Sequence, residues 1–254
     1  DAATGKFNGT PDAAATLTLK VTATDQAKAT MSNEFVLLIA AVPVSNPISD
    51  PVPVSFDGDA GVIPSTSFEK ITKRIQGTPK SDKLTGSDAN DLLNGKSKND
   101  RLKGQGGDDW LIGGKGDDRL NGGSGNDRMD GSQGQDQLLG GKGDDRLLGG
   151  LGKDTLIGGG GNDVYVFNNN LAFNTDVIIG FEAASELIDL RPIFAKAGYQ
   201  GATLAQVVRL EQIGSNTQIQ IDTDGLGSGT SLAAIATLQN VAVGAIGSRN
   251  FVIS

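Results

Sequence analysis

Ten aspartates recur at nine-residue intervals: Asp82, Asp91, Asp100, Asp109, Asp118, Asp127, Asp136, Asp145, Asp154 and Asp163. The 254-residue chain contains no His and no Cys, which excludes imidazole acid–base chemistry, thiol nucleophiles, zinc centres and disulfides. An HExxH helix therefore cannot occur, and no G-x-S-x-G nucleophile elbow is present. No catalytic constellation is visible, and oxygen chemistry remains. Carboxylates stacked at strand spacing, roughly 5 Å apart, repel one another. A calcium ion accepts about six to eight oxygens and relieves that repulsion by sharing carboxylates with backbone carbonyls.

The elements that must position these carboxylates follow from the same register. Cutting every nine residues from Gly77 gives ten gapless units, each opening on Gly with Asp sixth. The eighth position is Leu in eight units, then Met129 and Tyr165. Residues 77–166 hold 24 of the 37 Gly and 15 of the 25 Asp, so the bias is local. Glycines at positions one, two and four allow the first six residues to form a tight turn. The last three then form a short strand with one side chain inward. Two units make one coil of a flattened parallel helix, and units n and n+2 stack. The inward side chains form two ladders, Leu84, Leu102, Leu120, Leu138, Leu156 and Leu93, Leu111, Met129, Leu147, Tyr165.

Leu, Ile, Val and Phe make up only 16 of these 90 residues, below the level at which chains usually fold unaided. Metal binding is expected to supply the remaining folding free energy. The formal net charge of −8 argues against nucleic acid or an anionic membrane as partner. The longest apolar run, Phe35 to Val44, is too short to span a bilayer, so no membrane insertion is expected. There is no basic-then-apolar start resembling a signal peptide, and the chain reads as a fragment of something longer.

The nine-residue pattern resembles the calcium-binding repeats-in-toxin (RTX) family exported by bacterial type I secretion systems. The resemblance implies a right-handed parallel β-roll with calcium between successive loops, bound by position-six aspartates and turn carbonyls. Those aspartates are Asp100, Asp109, Asp118, Asp127, Asp136, Asp145, Asp154 and Asp163. The turns are those of Gly104 and Gly107; Gly113, Gly114 and Gly116; Gly122, Gly123 and Gly125; Gly131 and Gly134; Gly140, Gly141 and Gly143; Gly149, Gly150 and Gly152; and Gly158, Gly159 and Gly161. Five units carry the full GGxGxD, and those at Gly104 and Gly131 lack only the second Gly. The first three place Lys80, Ala89 and Lys98 at position four, so their turns are expected to be calcium-poor. The intervals between good loops give about five well-formed calcium sites, and six to eight in all. The position-seven Arg101, Arg119, Arg128 and Arg146 read as solvated charges that soften the carboxylate repulsion. Trp110 faces outward in this register and is expected to pack on a neighbouring segment.

The flanks are less periodic. Residues 1–42 read as a hairpin, Leu17, Leu19, Val21 and Ala23 against Met31 and Phe35 to Ile39, with a turn at 26–29. They resemble the last strands of an immunoglobulin-like or cadherin-like module, although about 40 residues are too few for a whole sandwich of roughly 100. Residues 43–76, with five of the eight prolines at its start, read as a linker and N-terminal cap containing the labile Asp50–Pro51 bond. Residues 167–254 keep strand signals and resemble the C-terminal domain that carries the type I secretion signal. Val164, Val166, Phe167, Phe173, Val177, Ile178 and Phe181 are expected to cover the open end of the roll. Asp222, Asp224 and Asn216 offer oxygens for one more ion, but a plain hairpin turn is the simpler reading.

The expectation is thus an all-β, non-enzymatic, calcium-dependent folding and export module of a secreted or surface protein. Its partners would be the type I secretion machinery and upstream repeats of the same chain. Its location would be extracellular or on the bacterial surface, reached without an N-terminal signal peptide. An adhesin is the first reading; the non-catalytic tail of a secreted enzyme and a calcium-dependent surface-layer protein are the others.

Overall fold

The computed structural model describes residues 15–24 and 30–39 as backbone, together with 71–168, 175–226 and 231–253. Asp50–Pro51, most of the Pro-rich segment and Phe173 lie outside the described residues. The chain divides into two units, Asp1–Val54 and Ser55–Ser254. In the first, β1 (Ala15–Thr24) and β2 (Thr30–Ile39) pair antiparallel, with Leu17 opposite Leu37 and Leu19 opposite Phe35. Apolar residues alternate with Thr and Lys along β1, the two-residue period of a strand.

The second unit is a flattened solenoid of two parallel sheets. One sheet stacks β4 (Lys83–Thr85), β6 (Arg101–Gly106), β8 (Arg119–Ser124), β10 (Gln137–Lys142) and β12 (Thr155–Gly160). The other stacks β3 (Lys73–Gln76), β5 (Asp91–Ser97), β7 (Trp110–Lys115), β9 (Arg128–Gln133), β11 (Arg146–Leu151) and β13 (Val164–Val166). From β4 to β13, neighbours in a sheet are 18 residues apart, as in Leu138 opposite Leu156 and Leu147 opposite Met129. Both expected ladders are present. Leu93, Leu111, Met129, Leu147, Leu156 and Tyr165 are wholly buried, with Leu102, Leu120 and Leu138 nearly so. At the N-terminal end Leu84 is half-buried, and so is Ile75, which β3 places opposite Leu93 before the first Gly77 unit.

The strands are longer than the three residues expected from the repeat. A typical one, Arg119–Ser124, runs from position seven of one unit through position three of the next. The turn proper is only positions four to six. The left-handed residue at position two bends the strand without ending it, because the ladder resumes there: Gly141 lies opposite Gly159 and Gly123.

The C-terminal region continues both sheets. In β14 (Asp176–Ile179), Ile178 lies opposite Leu156, and in β15 (Leu187–Asp189), Ile188 lies opposite Tyr165. Beyond them β18 (Leu232–Gln239) and β19 (Phe251–Val252) add one more parallel strand to each sheet. β17 (Asn216–Asp222) and the edge strand β16 (Val208–Ile213) then reverse direction. Phe167, Phe181, Ile193, Phe194 and Tyr199 are buried over this end. Asn216 and Asp222 fall at opposite ends of β17, so they do not share an ion. Among the described residues, no helix is long and apolar enough to cross a membrane.

Candidate metal centre

Two kinds of turn separate the strands. From the unit at Gly95 onward, positions two and four both adopt left-handed backbone, as in Gly114 (φ 109°) and Gly116 (φ 121°). Even non-glycines conform: Lys96, Lys98, Gln105 and Ser132 have φ of 78°, 76°, 90° and 72°. Each costs roughly 1–2 kcal/mol in that region, so the surrounding stack imposes the conformation. The units at Gly77 and Gly86 differ, because neither their second nor their fourth residues are left-handed.

The aspartates follow the same division. From Asp100 to Asp163 one carboxylate oxygen is committed to the stack, as where Asp109 N–H donates to Asp127 Oδ1 at 2.8 Å and Asp118 N–H to Asp136 Oδ1 at 2.7 Å, whereas Asp91 Oδ1 is buried without a partner. The same bond recurs from Asp82 to Asp163 along both edges. The second oxygen separates the two classes. In the early turns Asp82 Oδ2 accepts from the Thr78 amide at 2.6 Å, and Asp91 Oδ2 from the Ser87 amide at 2.6 Å. From Asp100 through Asp163, all eight Oδ2 atoms are buried with no hydrogen-bond partner. Those are the eight aspartates implied by the family resemblance. The Gly95 turn, expected to be calcium-poor, has the geometry of the later turns.

What surrounds these oxygens is a cradle. A Cβ on Gly104 would meet Asp109 Oδ2 and come within 2.6 Å of the Gly122 carbonyl oxygen. A Cβ on Gly113 would meet Asp118 Oδ2 and come within 2.9 Å of the Gly131 carbonyl. Position-one glycine thus leaves a space bounded by one carboxylate oxygen and a carbonyl of the coil stacked above. The strand carbonyls of position two crowd in the same way, with Gln105 O against Gly123 and Ser132 O against Gly150. Among the described residues no three acidic side chains converge, so a bound cation must draw mainly on backbone carbonyls. A carboxylate with several carbonyls is a hard-oxygen set that fits calcium.

Electrostatics points the same way. Burial pushes the carboxyls of Asp109, Asp118 and Asp145 up to about 7, Asp127 and Asp136 to about 8, and Asp154 to about 6. The accepted backbone N–H works against this rise in each case. Neighbouring aspartates add to it, for example Asp145 and Asp109 on Asp127. Ionised together without a cation, the row is unfavourable at neutral pH.

Several contributors escaped the sequence. A second, exposed ladder runs along position five: Asp108 N–H donates to Asn90 Oδ1, Asn126 N–H to Asp108 Oδ1 and Asp144 N–H to Asn126 Oδ1, each at 2.8 Å. Its signal was legible, since seven of the ten position-five residues are Asn or Asp. Asp176 extends the inner ladder by accepting the Asp154 N–H at 3.0 Å. Arg146 is no solvated charge: its guanidinium donates to Asp189 at 2.7 Å. Trp110 is buried at 6 % exposure, and Leu92, Ile112 and Leu148 on the same outer face are buried with it.

A family profile agrees with this geometry. The profile of the RTX calcium-binding nonapeptide repeat (4 copies) matches residues 74–102, 95–129, 103–138 and 130–165. No curated protein sequence matches. Among solved structures, the chain is similar to the AlgE6R3 subunit of the Azotobacter vinelandii mannuronan C5-epimerase, at 21 % identity and TM-score 0.26, covering 70 % of this chain and 83 % of that one. The AlgE6R2 subunit of that epimerase gives 19 % identity and TM-score 0.31 over 71 % and 92 %. The extracellular lipase LipA of Serratia marcescens gives 20 % identity and TM-score 0.25, and there the chain spans 66 % of itself and only 39 % of the lipase. With ten gapless units, eight unpartnered buried Oδ2 atoms from Asp100 to Asp163 and a matching profile, residues 74–165 are a run of RTX calcium-binding nonapeptide repeats.

Proposed function

We propose that the chain is a calcium-driven folding and export module of a protein secreted by a type I system, and that it belongs to a surface adhesin. The supporting observation is the row of eight buried Oδ2 atoms from Asp100 to Asp163. A stack that buries carboxylates without donors closes only when a cation enters with it. At cytosolic calcium, far below the roughly 0.1–1 mM affinity of extracellular modules, the repeats stay open and can be threaded through a channel. Outside, calcium closes the coils, and the folded roll cannot slide back. The antiparallel pair β1 and β2, in a segment that resembles the end of an immunoglobulin-like module, supports the adhesin reading. The role is non-catalytic, in keeping with a chain that lacks His and Cys.

Hydrogen exchange on the whole chain tests this. Amides of residues 100–163 should exchange freely in chelator and become protected in millimolar calcium. Co-expression with a type I exporter should then deliver the chain to the medium. Protection in chelator equal to that in calcium would contradict the folding switch.

A further inference from the structure

The repeat register ends at Val166, but the row of carboxylates does not. On one edge Asp176 takes the next place, with the inter-coil hydrogen bond of the repeats intact. On the other edge the next place belongs to Glu186. Leu187 lies opposite Val164, and Leu187 N–H donates to the Asp163 carbonyl at 2.9 Å, as Thr155 N–H does to Asp136 at 2.8 Å. Glu186 therefore stands where a position-six aspartate would stand, but 23 residues after Asp163 and not 18.

The surroundings of Glu186 are those of a ligand. It is 1 % exposed, and its carboxyl lies within hydrogen-bonding reach of the Asp163 carboxyl. Asp163 is wholly buried, and its Oδ2 has no donor. Glu186 Oε2 accepts the Glu182 N–H at 2.8 Å, which fixes the loop, and the Tyr165 hydroxyl lies 3.4 Å from both Oε1 and Oε2. That hydroxyl in turn accepts the Gly158 N–H at 3.0 Å. A Cβ on Gly158 would meet the Asp163 carboxylate, as one on Gly104 would meet that of Asp109, so the same position-one space is present at this last turn. Two buried carboxylates lie together at this end of the edge, and Oδ2 of Asp163 has no donor.

We propose that Glu186 is a second carboxylate ligand of the calcium-class divalent cation at Asp163, so that the last site of this edge is completed by a residue beyond the nonapeptides. This deepens the calcium reading above and rests on it. The closing loop 182–186 thereby acts as an eleventh turn, and seating of the C-terminal region becomes part of ion binding. Asp163 supplies its free oxygen, Glu186 the second carboxylate, and Tyr165 fixes the Glu186 rotamer from beneath.

The test counts calcium ions bound by the whole chain, by equilibrium dialysis, for the native protein and for Glu186→Gln. The Gln isostere keeps an acceptor for the Glu182 amide and removes one charge. Glu182→Gln, on the exposed side of the same loop, is the control. The expected result is one ion fewer in Glu186→Gln, with an unchanged count in the control and the roll's circular dichroism retained. Equal counts in all three would overturn the terminal site and leave the calcium roll standing. No calcium bound by the native chain would overturn both. Should Glu186→Gln fail to fold, terbium bound to the native chain decides. Emission excited through tyrosine should fall to the level of the other aromatics in Tyr165→Phe, and unchanged emission would overturn the site.

Discussion

The Arg146 guanidinium and the Asp189 carboxylate, 43 residues apart in sequence, meet at 2.7 Å across the junction between the roll and the C-terminal region. Asp189 is wholly buried and also accepts from the Arg191 side chain at 2.6 Å. Burial alone would raise its pKa, but the Arg191 and Arg146 hydrogen bonds outweigh it and hold the carboxyl below its usual range. Its stabilisation is therefore present above the unfolded carboxylate value and is lost as pH falls through the lower folded value. Asp189→Asn leaves two cations without their buried anion. The calcium-loaded chain should lose on the order of 3 kcal/mol, read as a lower urea midpoint at unchanged calcium count.

The roll aspartates carry the opposite pH sign. Their carboxyls are raised to between about 6 and about 8 in the folded stack, against 3.8 ordinarily. A raised carboxyl stabilises the fold below its unfolded value, and that contribution disappears as pH rises through the folded value. In chelator, acidification from pH 8 to pH 5 should therefore increase strand signal between residues 100 and 163. In calcium the same change should weaken ion binding, because protons and cations compete for the same oxygens. A chelated chain whose spectrum is flat over this range would contradict the burial of those carboxyls.

Position-one glycine keeps the ion cradle open. In Gly122→Ala the new Cβ would strike Asp127 Oδ2, whereas at Gly160 a Cβ meets nothing within 4 Å. Gly122→Ala should lower the affinity of one calcium by about tenfold or more, equivalent to about 1.4 kcal/mol. Gly160→Ala should bind as the native chain does. Isothermal titration of both variants distinguishes a local cradle from a general demand for glycine.

Lys98 holds a left-handed turn at φ 76° that glycine adopts without strain. Lys98→Gly should stabilise the calcium-loaded roll by on the order of 1 kcal/mol, seen as a higher thermal midpoint. A lower midpoint would show that the Lys98 side chain contributes more than its backbone costs.

The parts legible in the sequence are those fixed by the 18-residue spacing between stacked strands. The Leu84 to Leu156 and Leu93 to Tyr165 ladders, and the column of buried aspartates, follow from one register. Strand length did not, because glycine at position two signals a turn to a composition-based reading, yet here it bends a strand that continues. Asp176 and Glu186 were hidden because their coils are 22 and 23 residues long, which breaks the period while the ladder continues in space. Arg146 looked like one arginine among four in its column, and only the fold brings Asp189 to it.

In the proposed reading these coils close around calcium. Far-ultraviolet circular dichroism of the whole chain, recorded in chelator and then with rising calcium at pH 7.5, tests it most directly. A largely disordered spectrum is expected in chelator, with a cooperative gain of strand signal at roughly millimolar calcium. A strand spectrum already complete in chelator, and unmoved by calcium, would contradict it.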